Sequence, residues 1–297
     1  MKKLILILLS ILLFIYLLLS MLSYRDDYCA QRELWGINRQ LVFIAAHQES
    51  TPDLTINQLV NRYRVFTKKY NGSLYAKRAE LMMGDLYSFK KNYIQARLEF
   101  QKAVGTDKEL SAQAEVAIAK TYELEDHWDK ALVLYKSIIE NYPVTSLGFS
   151  IPMYLTGHLV ASGDQKEYKD QAYADALVFY QRIAVKYPKS QLEYNALEMI
   201  AICQLNQKDW SGTVKTMGEI ILKYPVGKAI QEAVSAINVL CVTKLHDYDR
   251  GINIYRQFIQ KYPDHSADPI LKKMIKDFQI LKNKNLIIQT VHKTATK

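Results

Sequence analysis

Cysteine, glycine and proline are all scarce in this chain: 3 Cys, 11 Gly and 7 Pro among 297 residues. Three cysteines in so long a chain exclude a disulfide scaffold. So few glycines and prolines disfavour a turn-dense all-β chain or a collagen-like one. The glycines are too dispersed for a phosphate loop, with no Gly-x-Gly-x-x-Gly and no Gly-Lys-Ser/Thr. No serine stands in Gly-x-Ser-x-Gly. The histidines (His47, His127, His158, His246, His265, His292) form no His-Glu-x-x-His and no zinc spacing with cysteine. Carboxylates are many, but they fall on helix faces where a lysine three or four residues away pairs them. These absences point away from an enzyme, and no cofactor, metal or small-molecule substrate is expected. The net charge of +9 is modest and its basic residues are spread out, which speaks against nucleic acid. With 49% hydrophobic residues, the chain is too apolar for disorder and long enough to bury a sizeable core.

What the chain does have begins with one long apolar run. Lys2 and Lys3 precede an uncharged stretch from Leu4 to Leu22 that holds ten Leu and four Ile. As a helix it would span about 28 Å at ~1.5 Å per residue, close to the hydrocarbon thickness of a bilayer. Fifteen Leu, Ile and Phe at roughly −0.4 kcal/mol each favour insertion by about 6 kcal/mol. An N-terminal transmembrane helix is therefore expected, with residues 1–28 as a signal anchor and its short flank. No pair of small residues follows it at a cleavage site. Cys29 invites a lipoprotein reading, but the preceding triplet, Asp26-Asp27-Tyr28, is charged and bulky. An uncleaved anchor fits best, with cleaved secretion and an outer-membrane lipoprotein as the alternatives. The N-terminal lysines, set against Arg25-Asp26-Asp27, place the N-terminus in the cytoplasm and the body outside, on the periplasmic side of a bacterial inner membrane.

The body carries an internal repeat. Lys69-Tyr70-Asn71, Asn141-Tyr142-Pro143, Lys186-Tyr187-Pro188, Lys223-Tyr224-Pro225 and Lys261-Tyr262-Pro263 are versions of one phrase, the last four 45, 37 and 38 residues apart. Such a period marks stacked supersecondary units. An amphipathic run precedes each Tyr-Pro: Asp129–Glu140, Tyr173–Lys186, Trp210–Lys223 and Tyr248–Lys261. In the second, Ala176, Leu177, Tyr180 and Ile183 share one helix face. The proline then stops the helix. Partner helices are expected over Lys77–Phe89, Ala112–Leu124, Met153–Ala161, Tyr194–Asn206 and Gln231–Leu245. A half-visible unit runs from Glu33 to Tyr70, and an insertion of about seven residues falls around Ser162 to Asp170. The expected architecture is all-α: an α-solenoid of about five to six helix-turn-helix repeats over residues 29–268, closed by a C-terminal capping helix in residues 269–297.

The unit from Lys77 resembles the tetratricopeptide repeat at Gly84, Tyr87, Tyr93, Ala96, Phe100 and Ala103. The next repeats it with Ala119, Tyr122, Trp128, Ala131 and Tyr135. Gly157, Ala176 and Tyr180 continue the pattern, as do Ala201, Trp210 and Met217 and then Tyr248, Gly251 and Tyr255. Tyr187-Pro188-Lys189-Ser190 followed by Tyr194-Asn195-Ala196-Leu197 is similar to repeats of bacterial envelope proteins. These include the outer-membrane lipoprotein of the β-barrel assembly machine and the periplasmic coordinator that binds the Tol proteins. The resemblance implies a non-enzymatic scaffold that holds protein partners on a concave surface lined by the first helices. By repeat position that surface comprises Arg78, Leu81, Asp85, Gln113, Val116, Lys120, Asn195, Glu198 and Ile202. The lysine-and-asparagine clamp of chaperone-binding relatives is missing, which favours a folded or extended protein client over a C-terminal peptide.

Most of the 21 tyrosines fall at core positions of the repeat or at the Tyr-Pro stop. Cys203 and Cys241, at matching positions of consecutive first helices, are expected to be buried free thiols, because equivalent helices lie too far apart for a disulfide. From Leu271 onward stand Lys272, Lys273, Lys276, Lys282, Lys284, Lys293 and Lys297 against Asp277 alone. Ile270, Leu271, Met274, Ile275, Phe278 and Leu281 form an apolar stripe beside them, and the tail from Asn283 is expected to be loose. That fits a cap with a charged outer face, or one attracted to anionic lipid. Together these readings describe a membrane-tethered scaffold in cell-envelope assembly or maintenance. The alternative is a cytoplasm-facing anchored adaptor for a regulatory or targeting complex.

Overall fold

The computed structural model describes residues 2–47, 50–161 and 166–295, with side chains described outside 2–8, 22–26, 159–161, 166–169 and 285–295. Among the described residues there are helices and no strand. The helices are α1 (Lys2–Ala46), α2 (Asp53–Lys69), α3 (Leu74–Phe89), α4 (Tyr93–Ala103), α5 (Lys108–Glu123), α6 (Trp128–Asn141) and α7 (Ser146–Ala161). There follow α8 (Lys166–Lys186), α9 (Gln191–Asn206), α10 (Trp210–Lys223), α11 (Gly227–Leu240), α12 (Tyr248–Lys261) and α13 (Asp268–Ala295). A single π-helical turn, Cys241–Leu245, continues α11. The chain forms two compact units, residues 1–151 and 152–297.

Sequence chemistry at the junctions explains why helices form and stop where they do. The repeated tyrosine is the residue directly after its helix, the C-cap. Tyr142, Tyr224 and Tyr262 each donate their N–H to a carbonyl four residues back, at Ile138, Ile220 and Phe258. Two residues on, the backbone turns left-handed, at Gly72 (φ +79), Lys189 (φ +58) and Asp264 (φ +62). Three residues after the tyrosine, Ser73 and Ser190 accept the N–H groups of Ala76 and Glu193, and Thr145 accepts that of Gly148. One short phrase thus ends a helix and caps the next. The opposite turns are built alike: Lys91, Asp126, Lys208 and His246 are left-handed. Asn92, Asp209 and Asp247 then cap α4, α10 and α12.

These caps correct the expected boundaries. The first helices α3, α5, α7, α9 and α11 begin three to seven residues earlier than periodicity placed them; α3, α5, α7 and α9 start directly at side-chain caps, and α11 follows Val226, which has none. The extra residues near Ser162 lengthen a helix: α8 has 21 residues, where α6, α10 and α12 have 14. Residues 162–165 of that insertion lie outside the described residues. The tail expected to be loose from Asn283 is helical through Ala295.

Within unit 1, each helix from α1 to α6 packs on the next, and α1 also meets α3, as α3 meets α5. Ala30, Leu34, Ile37 and Ile44 of α1 close over Tyr63 and Phe66 of α2 and over Met83 and Leu86 of α3. Leu81, Ala96, Phe100, Leu110 and Ile118 continue the core through α3, α4 and α5. Within unit 2, α9, α10 and α11 pack in succession, α10 meets α12, and α13 lies on α12. Contacts to both the next helix and the second next make the connectivity of a helical-repeat solenoid. The largest fully buried side chains mark one repeated place. Tyr63, Tyr135, Tyr180 and Tyr255 stand seven residues before Tyr70, Tyr142, Tyr187 and Tyr262.

Small residues let the helices approach. A Cβ on Gly84 would run into the buried ring of Phe100, and one on Gly251 into that of Phe278 of α13. The capping helix buries Leu271 and Phe278 and half-buries Met274, Ile275 and Leu281. Ile270, counted in its stripe, is exposed.

Among the described residues no helix is long and apolar enough to cross a membrane, so the expected spanning helix is not supported by the described structure. Of Leu4–Leu22, the side chains of residues 4–8 and 22 lie outside the described ones, and those from 9 to 21 are exposed. Backbone helix α1 runs without a break from this stretch into the packed body.

Candidate functional site

The first helices of unit 1 present part of the predicted surface. Arg78, Gln113 and Lys120 are exposed, and the Arg78 guanidinium sits 5.7 Å from the centre of the Tyr75 ring. Asp85 is half-buried on α3. Burial raises its carboxyl to about 6, partly offset by the Lys120 ammonium. Leu81 and Val116 are buried and belong to the core between helices. Repeat position assigned them to the surface. Leu81 instead packs with Ala96, Phe100 and Ile118.

In unit 2 the three predicted residues of α9 share one face. The Asn195 carbonyl oxygen accepts from Gln191 at 2.8 Å, and Glu198 accepts from the Tyr194 hydroxyl at 2.7 Å. The Tyr194 ring stands edge-on to Tyr224, with centroids 5.3 Å apart. Burial, then the Glu198 carboxylate, raises the Tyr194 hydroxyl pKa. Ile202 is 37% exposed and Leu205, nearly one turn on, 44%. Leu205 opens onto a groove of about 760 Å³ lined across from it by Lys228, Gln231, Glu232, Ser235, Ala236, Val239 and Leu240 of α11. Val239 is 55% exposed in that wall. Lys228 and Glu232 pair at 3.7 Å on the rim. An apolar floor with a polar, ion-paired rim suits an apolar protein segment.

The α11 wall was missed for a physical reason. Counting back from Tyr262-Pro263 put Val239 at the buried small position held by Ala201, but Val239 faces solvent. The π-helical turn at Cys241–Leu245 adds residues between the start of the first helix and the cap of the second. That interval is 21 residues from Val226 to Asp247, against 19 from Ser190 to Asp209. Counting forward from Val226, as from Ser190, pairs Gln231 with Asn195. Cys203 and Cys241 are buried free thiols, as expected, and burial pushes both up to about 11; Cys29 is exposed.

Three segments match the tetratricopeptide-repeat family model, at residues 113–143, 195–225 and 244–265. They coincide with α5–α6, with α9–α10 and with α12 and its approach. The chain carries tetratricopeptide repeats in these segments. No curated protein matches the chain. Its matched segments open at Gln113 and Asn195, two of the residues assigned to the protein-facing surface by repeat position. Tetratricopeptide repeats are protein–protein interaction scaffolds and are in general non-enzymatic.

Proposed function

We propose that this protein is a membrane-tethered, non-enzymatic scaffold of the bacterial cell envelope that recruits other proteins through its first helices. The observation that carries the reading is the groove between α9 and α11, with exposed Leu205 and Val239 set among polar rim groups. The partner is a protein segment with an apolar face. Arg78, Gln113 and Lys120 extend the same kind of surface in unit 1. Leu205→Glu and Val239→Lys are expected to reduce recovery of cross-linked partners from intact cells, while Val185→Glu, an exposed site on α8, leaves it unchanged. Equal recovery from all variants would place the interface elsewhere.

The tether rests on the composition of Leu4–Leu22 and on the exposure of its described residues. Packing inside the protein does not account for so many exposed Leu and Ile. The envelope setting rests on the similarity of the Tyr-Pro-x-Ser repeats. Tethering raises the effective concentration of a partner at the membrane without any new contact. The exposed thiol of Cys29 offers a direct test of sidedness. A membrane-impermeant maleimide should label it in intact spheroplasts, with a Cys29→Ser control staying dark. Labelling only after lysis would reverse the orientation and make the protein a cytoplasm-facing adaptor.

A further inference from the structure

We infer that the turn between α2 and α3 rests on the headgroup layer of the bilayer, so that unit 1 stands on the membrane at a fixed height and does not swing from a flexible stalk. This rests on the tether reading above. Helix α1 holds no proline and its single glycine is Gly36, so nothing in its sequence interrupts the helix between the apolar stretch and the core. Ala30, buried at 1% exposure, is the first packed residue among those described. It follows Leu22 by about 12 Å at ~1.5 Å per residue.

The register between α1 and α2 says which part of the body lies nearest the bilayer. Glu33 accepts from Lys69 at 2.7 Å and from the Tyr70 hydroxyl at 3.0 Å, locking the end of α2 against α1. A groove of about 850 Å³ beside this lock is lined by Asp27, Cys29 and Arg32 on one side and by Asn71 and Ser73 on the other. The turn is therefore level with residues 27–29, roughly 8–10 Å beyond Leu22 along the helix. The headgroup layer on each side of a bilayer is about 5–8 Å deep. Tyr28, exposed at that height, is a residue type favoured at the interface. Arg32 and Lys68 are exposed there and attract anionic headgroups. The opposite turn, between α3 and α4, is carried away by the 16 residues of α3, about 24 Å.

The test uses the full chain in vesicles of phosphatidylcholine with a quarter phosphatidylglycerol. The native thiol of Cys29 is labelled with a fluorophore. The label is moved to Asn71→Cys or Ile94→Cys in a Cys29→Ser background, and nitroxides on the lipid headgroups quench it. Quenching at positions 29 and 71 is expected to exceed that at 94 by about twofold or more, given the depth of the headgroup layer. A flexible Gly-Ser insertion after Ser23 should erase the difference without changing co-sedimentation. Equal quenching at 71 and 94 in co-sedimenting protein would overturn the inference, as would a difference that survives the insertion. Protein that fails to co-sediment would sink the tether reading itself.

Discussion

The Tyr224 hydroxyl donates to Oε2 of Glu193 at 2.7 Å, tying the end of one helix hairpin to the start of the helix before it. The same carboxylate, 3% exposed, takes Lys223 at 2.5 Å and the backbone N–H of Lys189. Tyr70 reaches Glu33 and Tyr142 reaches Glu115 in the same way, at 3.0 and 2.9 Å. Tyr70, Tyr142 and Tyr224 therefore do two jobs: the backbone closes a helix, and the hydroxyl clamps an earlier carboxylate; the Tyr262 hydroxyl instead donates to the Leu222 carbonyl.

Tyr224→Phe removes that donor from a charged acceptor and is expected to cost about 1–2 kcal/mol of stability, read from denaturant midpoints. Burial raises the Glu193 pKa, but the bonds from Lys223, Tyr224 and Lys189 outweigh it and leave the carboxyl below its ordinary value. A lowered native pKa adds stability above the unfolded value near 4.5, and that stability is lost as the pH falls through the native one. Glu193→Gln should therefore flatten the acid side of the stability profile. An unchanged profile would assign acid sensitivity to other groups.

Asp85 has the opposite sign. Its native pKa near 6 lies above the unfolded value near 3.8, so its ionisation opposes folding. Its contribution is fully present below about pH 4 and lost as the pH rises through 6. Asp85→Asn is expected to raise the melting temperature at pH 7–8 and to leave it unchanged at pH 4. Thermal melts across that range decide it, and an equal shift at both pH values would mean that packing, not ionisation, changed.

Gly84→Ala sets a helix-propensity gain of about 1 kcal/mol against a collision with Phe100. Overpacking costs about 1–3 kcal/mol, so a net loss is expected. Phe100→Leu in the same chain should recover part of it. If Gly84→Ala proves stabilising, the α3–α4 crossing is looser than described.

Lys208 sits at φ +62 in the turn before Asp209, where a Cβ is crowded. Lys208→Gly relieves that crowding at an entropic cost in the unfolded chain, with a net gain of about 0.5 kcal/mol expected. Chemical denaturation measures it directly, and a loss would show that the lysine side chain contributes contacts.

Local chemistry by itself determined the repeat architecture. Tyr-Pro stops, small crossing residues and buried aromatics at helical spacing act over a few residues, so all-α hairpins, free buried cysteines and a capping helix were legible before any coordinate. The long apolar run was equally plain. Helix starts were hidden because a cap such as Ser190 or Asp107 extends a helix beyond its apolar pattern. Which face of each first helix meets solvent was decided only in three dimensions. Rotation about a helix axis depends on how closely its neighbours approach, as Gly84 against Phe100 shows. It also depends on whether every turn has the same pitch, and the π-helical turn at Cys241 breaks that regularity directly after the exposed Val239. Spacing along a chain predicts an element; the angle at which that element is held is a property of everything packed against it.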